Sequence, residues 1–247
     1  MNRVKISVAL LSASVFVGCS NPAEQHTAER LVVEEQINPL VQEVLSQEQR
    51  DALSPDDVLQ AFKEGNERFI NNDLTARDHS AQVRKSASGQ FPKAVVLSCV
   101  DSRVPVEDVF DRGIGDIFVG RVAGNFVNED LLGSMEFGCK VAGSKLILVL
   151  GHEHCGAVKA AIDDVKLGNI TAMLSKIRPA VESVQYEGDR TSTNEAFVHQ
   201  VCESNVRNTI EQIRKNSPIL KELEDNGQIK IVGGIYDMDS GVVTFLN

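Results

Sequence analysis

Two apolar runs rich in β-branched residues, each followed directly by metal-binding residue types, constrain this chain most. Residues 93–98 (KAVVLS) lead into Cys99, and residues 145–151 (KLILVLG) lead into His152, with Cys155 three positions later. Such runs are typical of buried parallel strands, and open α/β sheets assemble their sites where parallel strands end. We therefore expect two thiols and one imidazole to meet at one edge of a sheet.

These three side chains form a complete set of protein ligands for zinc. Zinc prefers thiolate and imidazole, and a site with three protein ligands keeps a fourth position open, as catalytic zinc sites do. Cys99 and Cys155 could instead be small buried apolar residues, with His152 a hydrogen-bonded core histidine. The coincidence of three ligand residues at predicted strand ends favours the metal.

A carboxylate and a guanidinium follow the first cysteine at alternate positions. In Cys99-Val100-Asp101-Ser102-Arg103 this alternation places Asp101 and Arg103 on the same side as the thiol. An aspartate held by an arginine stays ionised and fixed in orientation, which suits an acceptor of a hydrogen bond from a hydroxide on zinc. A purely structural ion pair is the alternative.

The combined pattern resembles the β-class carbonic anhydrases, zinc enzymes that reversibly hydrate carbon dioxide to bicarbonate and a proton. The resemblance rests first on Cys99-x-Asp101-x-Arg103 and on Gly151-His152-x-x-Cys155-Gly156. It extends from about Ser54 to the end of the chain through further stretches: Gly65-Asn66-Glu67-Arg68-Phe69, Gly89-Gln90-x-Pro92, Gly115-Asp116-Ile117-Phe118-Val119-x-Arg121, Ala123-Gly124-Asn125 and Gly234-x-Tyr236-Asp237. The pattern is specific as a whole, although each piece alone is weak.

The resemblance also implies residues that bind the substrate. Gln90 stands where plant-like members carry a glutamine that donates to a substrate oxygen, and Phe118 resembles an apolar wall residue of the pocket. Phe137 falls where many relatives have tyrosine, so any role of that hydroxyl is lost. The backbone N–H near Gly156 is expected to hydrogen-bond bicarbonate. His154, between two of the ligands, is interpreted as a solvated side chain, with a proton-shuttle role as the alternative.

Members of this family occur with open or closed zinc sites. In the closed form the aspartate corresponding to Asp101 rotates to become the fourth zinc ligand, and a tryptophan helps to hold a regulatory bicarbonate. This chain has no tryptophan, and Val96 occupies that position. Together with Gln90, this favours the open form with water or hydroxide as the fourth ligand.

Two other functions are compatible with parts of the pattern. Related proteins hydrolyse carbon disulfide or carbonyl sulfide, which an assay with those gases distinguishes. A tethered zinc-binding protein without catalysis is the second alternative, and the intact pair of Asp101 and Arg103 argues against it.

The fold expected for residues 54–247 is one α/β catalytic domain. Two more strands, at residues 116–122 and 228–235, and a short edge strand at 241–246 give a mainly parallel sheet flanked by helices, with an antiparallel edge strand. Ser54 and Pro55 predict the start of an amphipathic helix. The resemblance implies that amino-terminal helices pack on a partner subunit, so we expect a homodimer or a dimer of dimers.

The amino terminus has the features of a bacterial export signal. Arg3 and Lys5 precede an apolar stretch at residues 6–17, too short to span a bilayer, and Phe16-Val17-Gly18-Cys19 resembles a lipobox. Residues 1–19 are therefore interpreted as a lipoprotein-type signal, with an ordinary cleaved signal as the alternative. Residues 20–53 are interpreted as a tether and helical arm. The protein is expected in the periplasm, with lipidated Cys19 as a possible membrane tether.

The net charge bears on the binding partners, and the two remaining cysteines bear on disulfide bonding. Loss of residues 1–19 changes the net charge from −10 to −12, which argues against nucleic acid as a partner. Carbon dioxide and bicarbonate are the small-molecule partners that the resemblance implies. Cys139 and Cys202 fall in apolar helical runs, where buried thiols are favoured over a disulfide between them.

Overall fold

The computed structural model describes residues 39–246, of which residues 41–246 belong to one compact unit. The predicted signal at residues 1–19, its Cys19 and most of the predicted tether lie outside the described residues. Within residues 39–246, no helix has the length and apolar character needed to cross a membrane.

A five-stranded sheet organises the chain, in the order β2-β1-β3-β4-β5. The strands are β1 (Ala94–Ser98), β2 (Ile117–Arg121), β3 (Leu146–His152), β4 (Lys230–Tyr236) and β5 (Val243–Leu246). β1 to β4 are mutually parallel, whereas β5 runs antiparallel to β4. The predicted mainly parallel sheet with an antiparallel edge strand is thus confirmed.

Both faces of the sheet are covered, which explains why the central strands are almost wholly apolar. Along β1, Val95 and Leu97 join one buried apolar cluster, while Ala94 and Val96 join the other. β1 and β3 are buried at every position. Alternate side chains therefore enter cores on opposite faces, as expected of a central parallel strand.

Helices flank the sheet and join its strands. In chain order they are α1 (Gln47–Asp51), α2 (Pro55–Ile70), α3 (His79–Ser86), α4 (Val106–Val109), α5 (Glu129–Glu136), α6 (Gly156–Ile162), α7 (Gly168–Leu174), α8 (Arg178–Ser183), α9 (Glu195–Asn216) and α10 (Pro218–Asp225), with a π-helical turn at Phe137–Val141 after α5. The longest, α9, packs against β3 and β4.

The predicted start of α2 is confirmed. The Ser54 hydroxyl accepts a hydrogen bond from the Asp57 N–H at 3.1 Å, and the Asp57 carboxylate accepts one from the Ser54 N–H at 2.9 Å. This reciprocal cap satisfies two N–H groups that a helix start leaves free. The apolar side of α2 packs on the chain's own sheet, since Val58 and Phe62 are fully buried in the cluster that contains Val96. Val58 and Phe62 are therefore covered within one chain, without the partner subunit that the resemblance implies.

Two predicted helical stretches are shorter than expected. In the described part of the predicted helical arm, the helix begins only at Gln47, because Val41 pairs with the chain at Arg77 in an extended bridge. The apolar run around Cys139 changes from α-helix to π-helical turn at Phe137. Cys139 and Cys202 are both buried free thiols, as predicted.

Candidate metal centre

The three predicted metal ligands come together at the carboxyl edge of the sheet. β1 and β3 are neighbours, with Ser98 opposite Leu150, so Cys99 and His152 emerge side by side. Cys155 follows as the residue that caps the start of α6. One ligand atom from each of Cys99, His152 and Cys155 lies within 4.8 Å of the others, and all three residues are buried.

The hydrogen bonding of His152 fits a metal ligand. Its Nδ1 lies 2.7 Å from the carbonyl oxygen of Glu153, a contact that requires the proton on Nδ1. The Nε2 atom is then unprotonated and carries a free lone pair. It is buried with no hydrogen-bond partner within residues 39–246. A buried lone pair without a partner is costly, and coordination of a metal satisfies it. The donor set of two sulfurs and one imidazole nitrogen fits zinc.

A hydrogen bond links the side chains of Cys99 and Cys155. A hydrogen bond from the Cys155 thiol is the largest of the effects that lower the pKa of Cys99 to about 4, with further contributions from His152 and from the Gly124 and Asp101 N–H groups. The same hydrogen bond, with burial, raises the pKa of Cys155. Binding of a divalent cation would deprotonate both thiols, because a thiolate and not a thiol is the metal ligand.

Asp101 and Arg103 form a tight pair beside the ligand group. Arg103 Nε donates to Asp101 Oδ1 at 3.0 Å and Nη2 donates to Oδ2 at 2.9 Å, while the Arg103 backbone N–H also reaches Oδ1 at 3.0 Å. The Arg103 guanidinium thereby lowers the pKa of Asp101 to about 2. Asp101 Oδ2 lies 3.9 Å from His152 Nε2, so the predicted pair does lie next to the metal position.

Arg121 holds the loop that carries Cys99 and Asp101, a role that sequence reasoning missed. From the end of β2, its guanidinium donates to the carbonyl oxygens of Cys99 and Asp101, each at 3.3 Å, and of Val104 at 2.5 Å. The signal available in the sequence was a charged residue at the end of an apolar strand. Its partners are backbone groups, which a sequence pattern does not identify.

Three of the predicted substrate residues do not lie at the metal group within one chain. Phe118 is opposite Val95 in the register, three residues before Arg121, so it is roughly 10 Å from the carboxyl edge at about 3.3 Å per residue. Phe137 packs near it, with ring centroids 6.2 Å apart, and both line an open, largely apolar cavity. Gln90 lies in the loop before β1, on the amino side of the sheet.

The fourth predicted substrate residue, Gly156, does lie at the metal group. It is the first residue of α6 and directly follows the ligand Cys155. His154 lies in the same short loop between His152 and Cys155, with a φ of 53°.

Comparison with known proteins identifies the family. The model of the carbonic anhydrase family matches residues 94–243. Carbonic anhydrase 2 of Mycobacterium tuberculosis strain H37Rv is 37% identical over 188 residues, which are 73% of this chain and 87% of that protein. A carbonic anhydrase of Mycolicibacterium smegmatis is 34% identical over 189 residues, or 74% and 89% of the two chains.

The chain belongs to the β-carbonic anhydrase family. A solved β-carbonic anhydrase from Coccomyxa, in complex with acetazolamide, matches its fold with a TM-score of 0.60 at 27% identity, covering 76% of this chain and 84% of that one. The protein is a zinc-dependent carbonic anhydrase that catalyses the reversible hydration of carbon dioxide to bicarbonate and a proton. The family and the ligand group together favour this enzyme over the non-catalytic zinc protein.

Proposed function

We propose that hydration takes place at an open metal site with three protein ligands, beside a carboxylate that is not a ligand. The observation that supports this is the engagement of both Asp101 oxygens by Arg103, at 3.0 and 2.9 Å. An Asp101 oxygen that ligated the metal would have to leave this pair, with its two charge-assisted hydrogen bonds. Within residues 39–246, the ligand group contains Cys99, His152 and Cys155 and does not include Asp101.

Each residue then has a separate role in the reaction. Cys99, His152 and Cys155 would hold zinc, which would supply Lewis acidity that lowers the pKa of a water for attack on carbon dioxide. Asp101 accepts a hydrogen bond from the attacking nucleophile and directs its lone pair at the carbon. Because the pKa of Asp101 is held at about 2, this carboxylate orients the nucleophile and does not store its proton. Arg103 fixes the carboxylate, and Arg121 fixes the loop.

A cobalt substitution tests the open site directly. Cobalt replaces zinc with similar geometry, and its visible spectrum reports the number and kind of ligands. At an open site, a small anion such as azide displaces solvent and changes the spectrum of the wild-type protein at neutral pH. A spectrum that does not respond to azide, but becomes responsive in Asp101→Asn, would show that Asp101 occupies the fourth position.

The substrate pocket is proposed to form between two copies of the chain. Gly156 lies at the metal group, whereas Gln90, Phe118 and Phe137 lie toward the amino side of the sheet, so their proposed roles require a second chain to bring them to the metal. Edge strand β2 has no neighbour on its outer side among the described residues, and Phe137 is 53% exposed. A homodimer, or a dimer of dimers, covers these groups.

Assembly and activity are then linked. Sedimentation is expected to show a dimer or larger species, and Phe137→Glu is expected to shift it toward monomer with a lower hydration rate per zinc. Leu167→Glu is the matched control, since Leu167 is a comparably exposed apolar residue on another part of the surface. A fully active wild-type monomer would contradict this arrangement.

The proposed location is the bacterial periplasm, with Cys19 as a lipid anchor. The support is the basic start, the apolar stretch and the lipobox-like residues 16–19 of the sequence. In a bacterial host, Cys19→Ala is expected to move the protein from the membrane fraction to the soluble periplasm. If the wild-type protein does not incorporate labelled fatty acid, the lipid anchor is excluded. Export is then measured separately by cell fractionation.

A further inference from the structure

A tight turn beside the metal group supplies a hydrogen bond to one ligand sulfur. In the turn 122–125, the Asn125 N–H donates to the Val122 carbonyl at 2.9 Å. The Gly124 N–H donates to Cys99 Sγ at 3.4 Å. Gly124 has a φ of +83°, and a Cβ there would lie 2.3 Å from Ile177 Cδ1. The positive φ, which side-chain-bearing residues rarely adopt, favours glycine at this position of the turn.

Helix α9 holds this turn from behind through two side chains. Asn205 Nδ2 donates to the Gly124 carbonyl at 2.7 Å, and Thr209 Oγ1 donates to the Asn125 carbonyl at 3.3 Å. Asn205 and Thr209 are four residues apart, so they lie on one face of α9, and each is only 1% exposed. Water cannot replace these donors, because the contacts are buried.

We propose that Asn205 and Thr209 are positioning residues for the Cys99 thiolate, which they control through the turn 122–125. By holding Gly124 in place, they keep its N–H on the sulfur. The N–H bond withdraws electron density from the thiolate, so Cys99 donates less charge to the metal.

The hydrogen bond to Cys99 matters because two thiolate ligands donate much electron density to the metal. Two thiolates neutralise the charge of Zn²⁺, which leaves the ion less able to acidify a water than a site of three neutral imidazoles. A hydrogen bond to one thiolate offsets part of that loss. The inference rests on the three-ligand zinc site used in the proposed function, and it is independent of the role given to Asp101.

The test removes each donor while conserving side-chain size. Asn205→Leu removes the amide donor, and Thr209→Val removes the hydroxyl. In the cobalt-substituted full chain, loss of the N–H contact is expected to shift the thiolate-to-cobalt charge-transfer band to longer wavelength. The zinc affinity, measured by competition with a chromophoric chelator, is expected to fall about tenfold or more in Asn205→Leu, because the Cys99 thiolate loses the donor that fixes its position and stabilises its charge before the metal binds. Thr209→Val is expected to shift both readouts in the same direction by less.

Two control variants separate this role from ordinary packing. Asn66 is another buried asparagine that donates to backbone carbonyls, at Val109 and Gly241, in a different part of the fold. Ser204 lies on α9 itself and donates to the Ala180 carbonyl. Asn66→Leu and Ser204→Ala are expected to lower stability without moving the cobalt band.

The outcomes are decisive in either direction. A folded Asn205→Leu protein with an unchanged charge-transfer band and unchanged zinc affinity would overturn the proposal, whatever its stability. If Asn205→Leu does not fold, Thr209→Val decides by the same two readouts. Because neither readout uses catalysis, failure here is distinguishable from failure of the catalytic role of Asp101, which is measured by the hydration rate of Asp101→Asn.

Discussion

Arg103 binds the Asp101 carboxylate through two side-chain nitrogens and its own backbone N–H, with only Ser102 between the two residues. Such a short-range clamp forms within one loop and needs no other element to build it. It sets the orientation of the carboxylate relative to the metal group, because Asp101 Oδ2 is directed toward His152 Nε2 at 3.9 Å. The charge of Asp101 and its direction are thus fixed by the same contact.

The geometry of this clamp predicts that lysine cannot replace arginine. Arg103→Lys keeps the positive charge but loses the planar two-point contact, so Asp101 gains freedom to rotate. We expect about a tenfold lower hydration rate with zinc content unchanged, measured by stopped flow. Arg214→Lys is the matched control, since Arg214 makes the same two-point contact with Glu224, at 2.8 Å for each bond. If the hydration rate fell equally in both variants, the loss would reflect general stability and not the clamp on Asp101.

Zinc content tests the ligand assignment. The purified protein is expected to hold about one zinc per chain, and Cys99→Ser and Cys155→Ser are each expected to lose most of it, because serine is a poor ligand for zinc. Cys139→Ser serves as control, since Cys139 is an equally buried thiol outside the ligand group. Metal analysis of the four proteins gives the answer. Full occupancy in a Cys99→Ser, Cys155→Ser double variant would reject these ligands.

The pH dependence of the hydration rate follows from the ligand set and from Asp101. The pKa of Asp101 is held at about 2, so this group stays ionised and adds no acid limb above about pH 4. Two thiolate ligands weaken the acidification of water, so the rate is expected to rise on the alkaline side of neutral. The pH profile of kcat/KM measures this. A plateau already reached near pH 6 would contradict it.

A buried carboxylate away from the metal makes a separate prediction about stability. Burial would raise the pKa of Asp111, but hydrogen bonds from Thr75, Arg68 and Arg77 outweigh it and the pKa lies below the ordinary value. The resulting stabilisation is present above about pH 4, the range of an unfolded aspartate, and is lost as the pH falls through the lower native pKa.

Asp111→Asn is accordingly expected to lower the free energy of unfolding by about 3 kcal/mol at pH 7, because two arginines lose their buried partner. Urea unfolding at pH 7 and at pH 3 measures the loss, which is expected to shrink in acid. Asp56→Asn, which breaks an exposed pair with Lys230, is expected to cost less than about 1 kcal/mol. Equal effects of the two substitutions would contradict the account of Asp111.

The ligands and the sheet were predictable because their signals are local. Cys99, His152 and Cys155 directly follow strong strand patterns, and the ends of adjacent parallel strands must meet at one edge. Ser54 and Pro55 predicted the start of α2 for the same reason, since the signals for a helix start lie within its first few residues. In each case the sequence signal lies within a few positions of the residue that it predicts.

Contacts between distant elements were not predictable in this way. Asn205 reaches Gly124 across 81 positions, and this depends on how α9 is rotated against the sheet. Phe118 belongs to a predicted strand, but the register that places it opposite Val95, away from the metal edge, is set by tertiary pairing. The resemblance named Phe118 and Gln90 as pocket residues. It did not show that, within one chain, these residues lie away from the metal group.

The hydration rate and zinc content of Asp101→Asn, measured on one preparation, test the central claim most directly. Asparagine presents an N–H₂ donor where the nucleophile needs an acceptor, and it weakens the pairing with Arg103. The account predicts about one zinc per chain and a hydration rate lower by about tenfold or more, the scale of removing a positioned partner of the reacting group. A wild-type rate at full zinc occupancy would contradict the role of Asp101.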